Sequence, residues 1–230
     1  MTLAPLRDLV RLLLPAQCVG CCNVLVGSEH QLCAKCLLNL PLTHYADYSD
    51  NTVEQQLRRW VNVEAAMALL YFGHHELGQR IVHDIKYHGN STLGHLMGRQ
   101  MGIALQESGR FGDVDLLVPV PLHWRRRLQR GYNQSLLLCE GIAQVFRTPI
   151  DSRALRRTRY TDSQTHLGSA ARYANVLDAF CAPHPQSLQG RHILLVDDVM
   201  TTGATLAACS RVLLDIEGVR VSIAALSVAD

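Results

Sequence analysis

The stretch that decides the fold is Ile193-Leu-Leu-Val-Asp197-Asp198-Val-Met-Thr201-Thr202-Gly203-Ala204-Thr205. A short apolar run bounded by turn residues reads as a buried strand. At its C-terminal end, where open α/β sheets bind their ligands, it delivers two adjacent carboxylates, and a Thr/Gly turn then opens a helix expected over residues 204–216. This arrangement suits a sugar phosphate. Free N–H groups of the turn and of the helix N-terminus can face a phosphate, the threonine hydroxyls add donors, and Gly203 lets the backbone approach closely. Asp197 and Asp198 can then accept protons from ribose hydroxyls. A Thr-capped helix with no ligand, or a nucleotide-binding or receiver-type acid pair, shares the same strand and turn. No Gly-Lys pair occurs in the chain, which removes a P-loop, and too few residues follow Asp198 to complete a receiver domain.

Outward from this segment, residues 65–72, 114–118, 192–196 and 219–227 read as strands, with the last of them expected to close the sheet. Helical periodicity fills the intervals. Residues 77–87 keep Leu77, Ile81 and Ile85 on one face, and residues 135–146 follow Asn133. Strands alternating with helices imply a mostly parallel sheet covered on both faces, an α/β domain expected over residues 63–230.

Residues 1–62 differ in composition and read as an accessory module and linker, with Pro41 and residues 47–51 as loop. Cys18-Val-Gly-Cys21 and Cys33-Ala-Lys-Cys36 form two Cys-x-x-Cys pairs. Each pair can chelate one edge of a tetrahedron, so Cys18, Cys21, Cys33 and Cys36 are expected to hold one structural Zn²⁺. Two disulfides or free thiols are the rival reading. Cys22 adjoins the set and could replace Cys21, but the intact spacing favours Cys21. Cys139, Cys181 and Cys209 sit in apolar surroundings and read as core. Residues 3–14 read as a short amphipathic docking helix, because Arg7, Asp8 and Arg11 interrupt the apolar run and no small-residue cleavage site follows. No apolar run reaches the roughly 18–20 residues of a membrane-spanning helix, so a cytoplasmic location is expected, where structural disulfides are rare.

The formal net charge of +2 excludes a histone-like polycation, so any nucleic-acid contact must be a local patch. Lys35 and Lys86 are the only lysines, leaving guanidinium groups to carry nearly all the positive charge, a bias toward anionic partners. Arg125, Arg126, Arg127 and Arg130 lie between Trp124 and Tyr132, an interleaving that could track single-stranded DNA. The histidines form no metal spacing, only His123 is placed as a site member, and no Ser-His-Asp order points to a hydrolase.

The acid pair followed by Thr-Thr-Gly-x-Thr resembles the phosphoribosyl diphosphate signature of type I phosphoribosyltransferases. Further segments sharpen this. Val118-Pro-Val-Pro-Leu-His123, Arg126, Arg130-Gly-Tyr-Asn-Gln134, and then Arg159, Thr161, Gln164, Leu167, Arg172, Asn175 and Phe180 resemble the competence protein F family, whose bacterial members include GntX-type proteins associated with DNA uptake or use. The likeness covers nearly the whole chain. Many members carry a second set of cysteine pairs, which residues 37–60 lack, so one zinc is expected here.

The resemblance implies a type I phosphoribosyltransferase fold behind a four-cysteine module. It implies binding of phosphoribosyl diphosphate, or a related sugar phosphate, with Mg²⁺. Asp197 and Asp198 would take ribose hydroxyls and hydrated Mg²⁺, and Thr201, Thr202, Gly203, Ala204 and Thr205 the 5′-phosphate. The turn at residues 118–122, with Lys86, Arg126 and Arg130, would serve the pyrophosphate. Residues 158–167 fall where such folds place a hood. The implied function is phosphoribosyl transfer, to an acceptor the sequence does not name, in DNA uptake or use, with uptake-machinery proteins as partners. The alternative is a non-catalytic nucleotide- or single-stranded-DNA-binding protein that keeps the pocket.

Overall fold

The computed structural model describes residues 15–73, 76–123, 128, 130–158 and 178–229. The expectations for residues 3–14, for His74 and His75, for Arg125, Arg126 and Arg127 and for residues 159–167 lie outside them. Among the described residues there are six strands: β1 (Ala66–Tyr71), β2 (Leu116–Pro119), β3 (Arg156–Arg157), β4 (Phe180–Cys181), β5 (His192–Met200) and β6 (Arg220–Val228). The helices are α1 (Ala34–Leu38), α2 (Thr52–Arg58), α3 (Glu76–Tyr87), α4 (Ser91–Ser108), α5 (Gln134–Phe146) and α6 (Ala204–Leu214). None of them is long and apolar enough to cross a membrane.

The main sheet has the order β1-β6-β5-β2, every pair parallel. Its strands are apolar on both faces because both faces are covered: Leu117, Val118, Leu194, Leu195, Ile223 and Ala224 are fully buried. Leu195 registers with Val118 on one side and Ile223 on the other. Outside β2, Ile150 pairs in parallel with Leu117 and continues the sheet by one bridge. The chain therefore moves outward through β1, β2 and Ile150, then re-enters at β5 and winds back to β6. Right-handed crossovers in opposite directions place α4 and α5 on one face and α6 on the other. The winding reverses between β2 and β5. In a doubly wound sheet, the crevice at the C-terminal ends of those two strands is where a ligand sits.

Four features differ from the sequence expectation. β6 lies inside the sheet and does not close an edge, because the reversal inserts β5 and β6 between β1 and β2. β5 continues past Val196, with Asp197 registered on Ala225 and Met200 on Val228, so the two acids are strand residues whose backbone is fixed by β6. The irregular stretch before β1 contains α2, whose Val53 and Leu57 are fully buried. It is stitched to the sheet by Asn51, which donates to the Ala66 carbonyl at 2.8 Å, and by Thr43, which donates to that of Ala68. The strand before the turn is also shifted from the expected residues 114–118, starting two residues later at Leu116 and ending one later at Pro119.

Candidate functional site

Gly203 sets the site's backbone. Its φ of +75° is left-handed, which favours glycine, and a Cβ there would stand a tight 3.2 Å from both Leu57 Cδ2 and Met200 Cε. It occupies the N-cap of α6 without offering a side-chain cap, which leaves the first-turn N–H groups to a ligand or water. The neighbouring Thr202 hydroxyl accepts weakly from the Ala204 N–H at 3.5 Å. Thr201 is exposed, Thr202 and Thr205 are half-buried, and Ala204 is buried against the core.

The acid pair ends the fixed part of β5. Asp197 Oδ1 accepts from the Ser135 hydroxyl at 3.1 Å and from the Asp198 backbone N–H at 2.8 Å. Burial, and then the Asp198 charge, push the Asp197 carboxyl up to about 7, against the opposing pull of the Asp198 N–H, Lys86 and Ser135. Lys86, from the last turn of α3, places Nζ 3.3 Å from Asp198 Oδ1, with both side chains largely shielded. Two carboxylates thus share one ammonium in a sheltered crevice. That arrangement can take up ribose hydroxyl protons or a metal-bound diphosphate, either of which would relieve the repulsion.

Ser135 and Asn133 belong to this site and were not assigned to it from sequence. Asn133 caps α5 by accepting from the Ser135 N–H at 3.1 Å, and its Nδ2 donates to the Val120 carbonyl at 3.0 Å. It thereby locks the start of α5 to the turn after β2 and aims Ser135 at Asp197. The only local signal was an asparagine ahead of an apolar helix.

Of the expected diphosphate cations, the structure brings Lys86 to the acids. Arg130 donates to Gln134 Oε1 at 3.1 Å and lies 5.4 Å over the Tyr87 ring, next in sequence to Lys86. Arg126 lies outside the described residues. His123 is buried just past β2.

The cysteines converge as their spacing requires. The four Sγ atoms of Cys18, Cys21, Cys33 and Cys36 lie within 4.8 Å of one another, and Cys21 and Cys33 are 3.7 Å apart. A tetrahedral ion with bonds of about 2.3 Å to sulfur sets neighbouring sulfurs about 3.8 Å apart. Backbone N–H groups point into the cluster: Cys33 N donates to Cys18 Sγ at 3.3 Å and Cys36 N to Cys33 Sγ at 3.5 Å. Burial works to raise the Cys18 thiol, but the N–H groups of Cys33, Cys21 and Gly20 outweigh it and bring it down to about 7. A donor set of four unbridged thiols fits a metal ion such as zinc. Cys22 is exposed, with φ +61°, and is not among the four. Cys139 and Cys209 are buried core residues, and Cys181 is half-buried on β4.

A family profile described as the phosphoribosyl transferase domain matches residues 133–230, which include the acid pair and the Thr/Gly turn and leave Lys86 and the cysteines outside. The DNA utilization protein YhgH of Escherichia coli is 36% identical over 137 residues, 58% of this chain and 60% of that protein. The match therefore spans less than two thirds of that relative's length. Competence protein F of Haemophilus influenzae is 26% identical over 213 residues, 86% of this chain and 90% of that protein. A solved structure, the allosteric regulatory enzyme of purine biosynthesis, superposes with a TM-score of 0.41 at 18% identity, over 62% of this chain and 30% of that one.

Proposed function

The chain belongs to the competence protein F family, with a type I phosphoribosyltransferase fold behind a four-cysteine module, and on that footing we propose that it binds phosphoribosyl diphosphate with Mg²⁺ in the crevice between β2 and β5. The convergence of Asp197, Asp198 and Lys86 beside the uncapped N-terminus of α6 carries this reading. Asp197 and Asp198 accept the ribose hydroxyl protons and the water shell of the diphosphate-bound Mg²⁺. Residues 201–205 hold the 5′-phosphate through backbone N–H groups and the hydroxyls of Thr201, Thr202 and Thr205. Lys86, with Arg126 and Arg130, offsets the diphosphate charge. When the carbon–oxygen bond to the diphosphate stretches, the positive charge growing on the ribose meets the acid pair, and the negative charge on the leaving oxygens meets these cations. In the cell this chemistry serves DNA uptake or use, a role supported by the names of the two relatives.

The cysteine module holds one Zn²⁺ through Cys18, Cys21, Cys33 and Cys36, and the ion supplies folding energy to residues around it. Elemental analysis of the purified chain should return close to one zinc per molecule, unchanged by Cys139→Ala; well under half would remove the assignment. The pocket is tested by thermal unfolding in increasing phosphoribosyl diphosphate, with Mg²⁺ and with a chelator. A ligand held by the native state alone raises the melting temperature progressively with concentration. A Mg²⁺-dependent rise is expected, and a flat response at millimolar ligand would overturn the reading.

A further inference from the structure

The turn at residues 201–205 is held only weakly by its own side chains. Gly203 has none, α6 begins there without a side-chain cap, Thr201 is exposed, and the Thr202 hydroxyl accepts from the Ala204 N–H at no closer than 3.5 Å. What packs against the glycine comes mainly from α2. The three heavy atoms nearest to a Cβ built on Gly203 are Leu57 Cδ2 at 3.2 Å, Met200 Cε at 3.2 Å and Leu57 Cγ at 3.9 Å. The two supports differ in stiffness. Met200 meets the turn with the last carbon of an unbranched thioether, which has three rotatable bonds. Leu57 is branched, fully buried, and stands on a helix fastened at several points.

Those fastenings lie at the start of β1. Asn51 caps α2 by accepting from the Glu54 N–H at 3.1 Å, and its Nδ2 donates to the carbonyls of Tyr45 at 2.9 Å and Ala66 at 2.8 Å. Glu54 Oε1 accepts from the Ala66 N–H at 3.0 Å and from Arg110, while Oε2 accepts from the Asp50 N–H at 2.6 Å. Arg110 also donates to the Tyr48 carbonyl at 2.7 Å. Asn51 and Glu54 are both buried, so these bonds form where the local dielectric is low. Glu54 and Leu57 are three positions apart and neighbours on the helix surface. The carboxylate therefore anchors the stretch of helix that presents Leu57 to Gly203.

A turn that binds an anion through backbone N–H groups works while those groups converge on one point. With no Cβ at Gly203, that convergence depends on what packs against the glycine. We propose that Leu57 is a positioning residue for the ligand's 5′-phosphate: acting through Gly203, it holds residues 201–205 in the shape that aims the first N–H groups of α6 at one phosphate. The inference rests on the phosphoribosyl reading above. It draws α2, part of the stretch read from sequence as linker, into the architecture of the site. Ribose 5-phosphate and phosphoribosyl diphosphate share this phosphate, so loss of Leu57 weakens both by the same factor, whereas loss of Lys86 falls on the diphosphate.

The test titrates ribose 5-phosphate and Mg²⁺-phosphoribosyl diphosphate separately into the full chain by calorimetry, with urea unfolding of each variant alongside. Leu57→Ala should weaken both ligands about tenfold or more, the loss expected when one hydrogen bond to a charged group goes. Leu57→Met, which keeps nearly the same volume, should bind both within about threefold of wild type. Leu213→Ala is the control for general loosening, because it makes the same change at a fully buried position in the last turn of α6. It should lower stability while leaving both affinities within about twofold of wild type. Should Leu57→Ala unfold too readily to titrate, Leu57→Val carries the test, with an equal loss of about threefold for both ligands. The proposal is overturned if the folded Leu57 variant binds both ligands as wild type does, if its loss falls on the diphosphate alone, or if Leu213→Ala weakens binding as much. If wild type binds neither ligand, the phosphoribosyl reading fails first and the role of Leu57 falls with it.

Discussion

Strand β5 carries a polar network at each end, and the two are built on opposite terms. At its N-terminal end His192 is 2% exposed and fully paired: Nδ1 lies 2.9 Å from Asp113 Oδ1, Nε2 lies 2.9 Å from Ser222 Oγ, and its backbone N–H reaches Asp115 at 2.8 Å. Arg220, through its hydrogen bond, and His192 hold the Asp113 carboxyl below its usual range. The contacts are those of an Asp-His-Ser relay. Ser222, however, is fully buried on an interior strand, at the edge of the sheet away from the ligand crevice, so no substrate can reach it. This end is a lock: each donor has its acceptor, and nothing remains to bind. At the C-terminal end two carboxylates share one lysine, and burial drives one of them up to about 7. A network left short of cations inside a crevice is poised for a ligand. Charge that is satisfied marks structure here, and charge that is not marks the proposed site.

The largest effect expected from this contrast is on stability against pH. Below its ordinary value of 3.8, Asp197 is protonated in native and unfolded chains alike. As pH rises toward the native value of about 7, the unfolded chain ionises while the native one keeps its proton, so the native state loses stability across that window and no more above it. The loss should approach about 1.4 kcal/mol per pH unit. Urea unfolding of wild type and Asp197→Asn between pH 4 and 8 measures it, and the substitution should flatten the curve. If wild type instead gained more stability through this range than Asp197→Asn does, the buried acid would not be the group that titrates.

His192→Ala probes the locked end. Leaving Asp113 and Ser222 without their partner should cost about 1–3 kcal/mol in urea unfolding while ligand affinity stays unchanged. Gly203→Ala should cost somewhat less, about 1–2 kcal/mol for the left-handed backbone, and should also weaken ribose 5-phosphate, whose phosphate is proposed to bind at that turn. An equal loss of ligand binding from His192→Ala and Gly203→Ala would erase the distinction between the ends.

The sequence exposed whatever depends on close spacing. The acid pair, the Thr/Gly turn and the two Cys-x-x-Cys pairs are local, and the structure brings the four thiols within 4.8 Å of one another and sets the turn directly after the acids. Contacts that cross the fold were not legible. Ser135 meets Asp197 across 62 positions, through a helix cap and a sheet reversal that no window of residues displays. α4 was hidden for another reason. Gly94, Gly98 and Gly102 line its packing face, and a Cβ on Gly98 would collide with the backbone of Leu138 and Gly141 on α5, so glycine replaces the large apolar side chains that periodicity detects. The interior place of β6 follows from the same reversal between β2 and β5, a property of topology that the strand's own apolar run does not carry.

The most direct test sets the two ends of β5 against each other in one calorimetric experiment, titrating Mg²⁺-phosphoribosyl diphosphate into wild type, into the Asp197→Asn, Asp198→Asn double variant, and into His192→Ala. Wild type should bind, the double variant should lose affinity by about a hundredfold or more because charged hydrogen bonds contribute roughly 1.5–3 kcal/mol each, and His192→Ala should match wild type. Absence of binding to wild type, or a double variant that binds as tightly as wild type, would contradict the claim that the acids at the end of β5 form the ligand site.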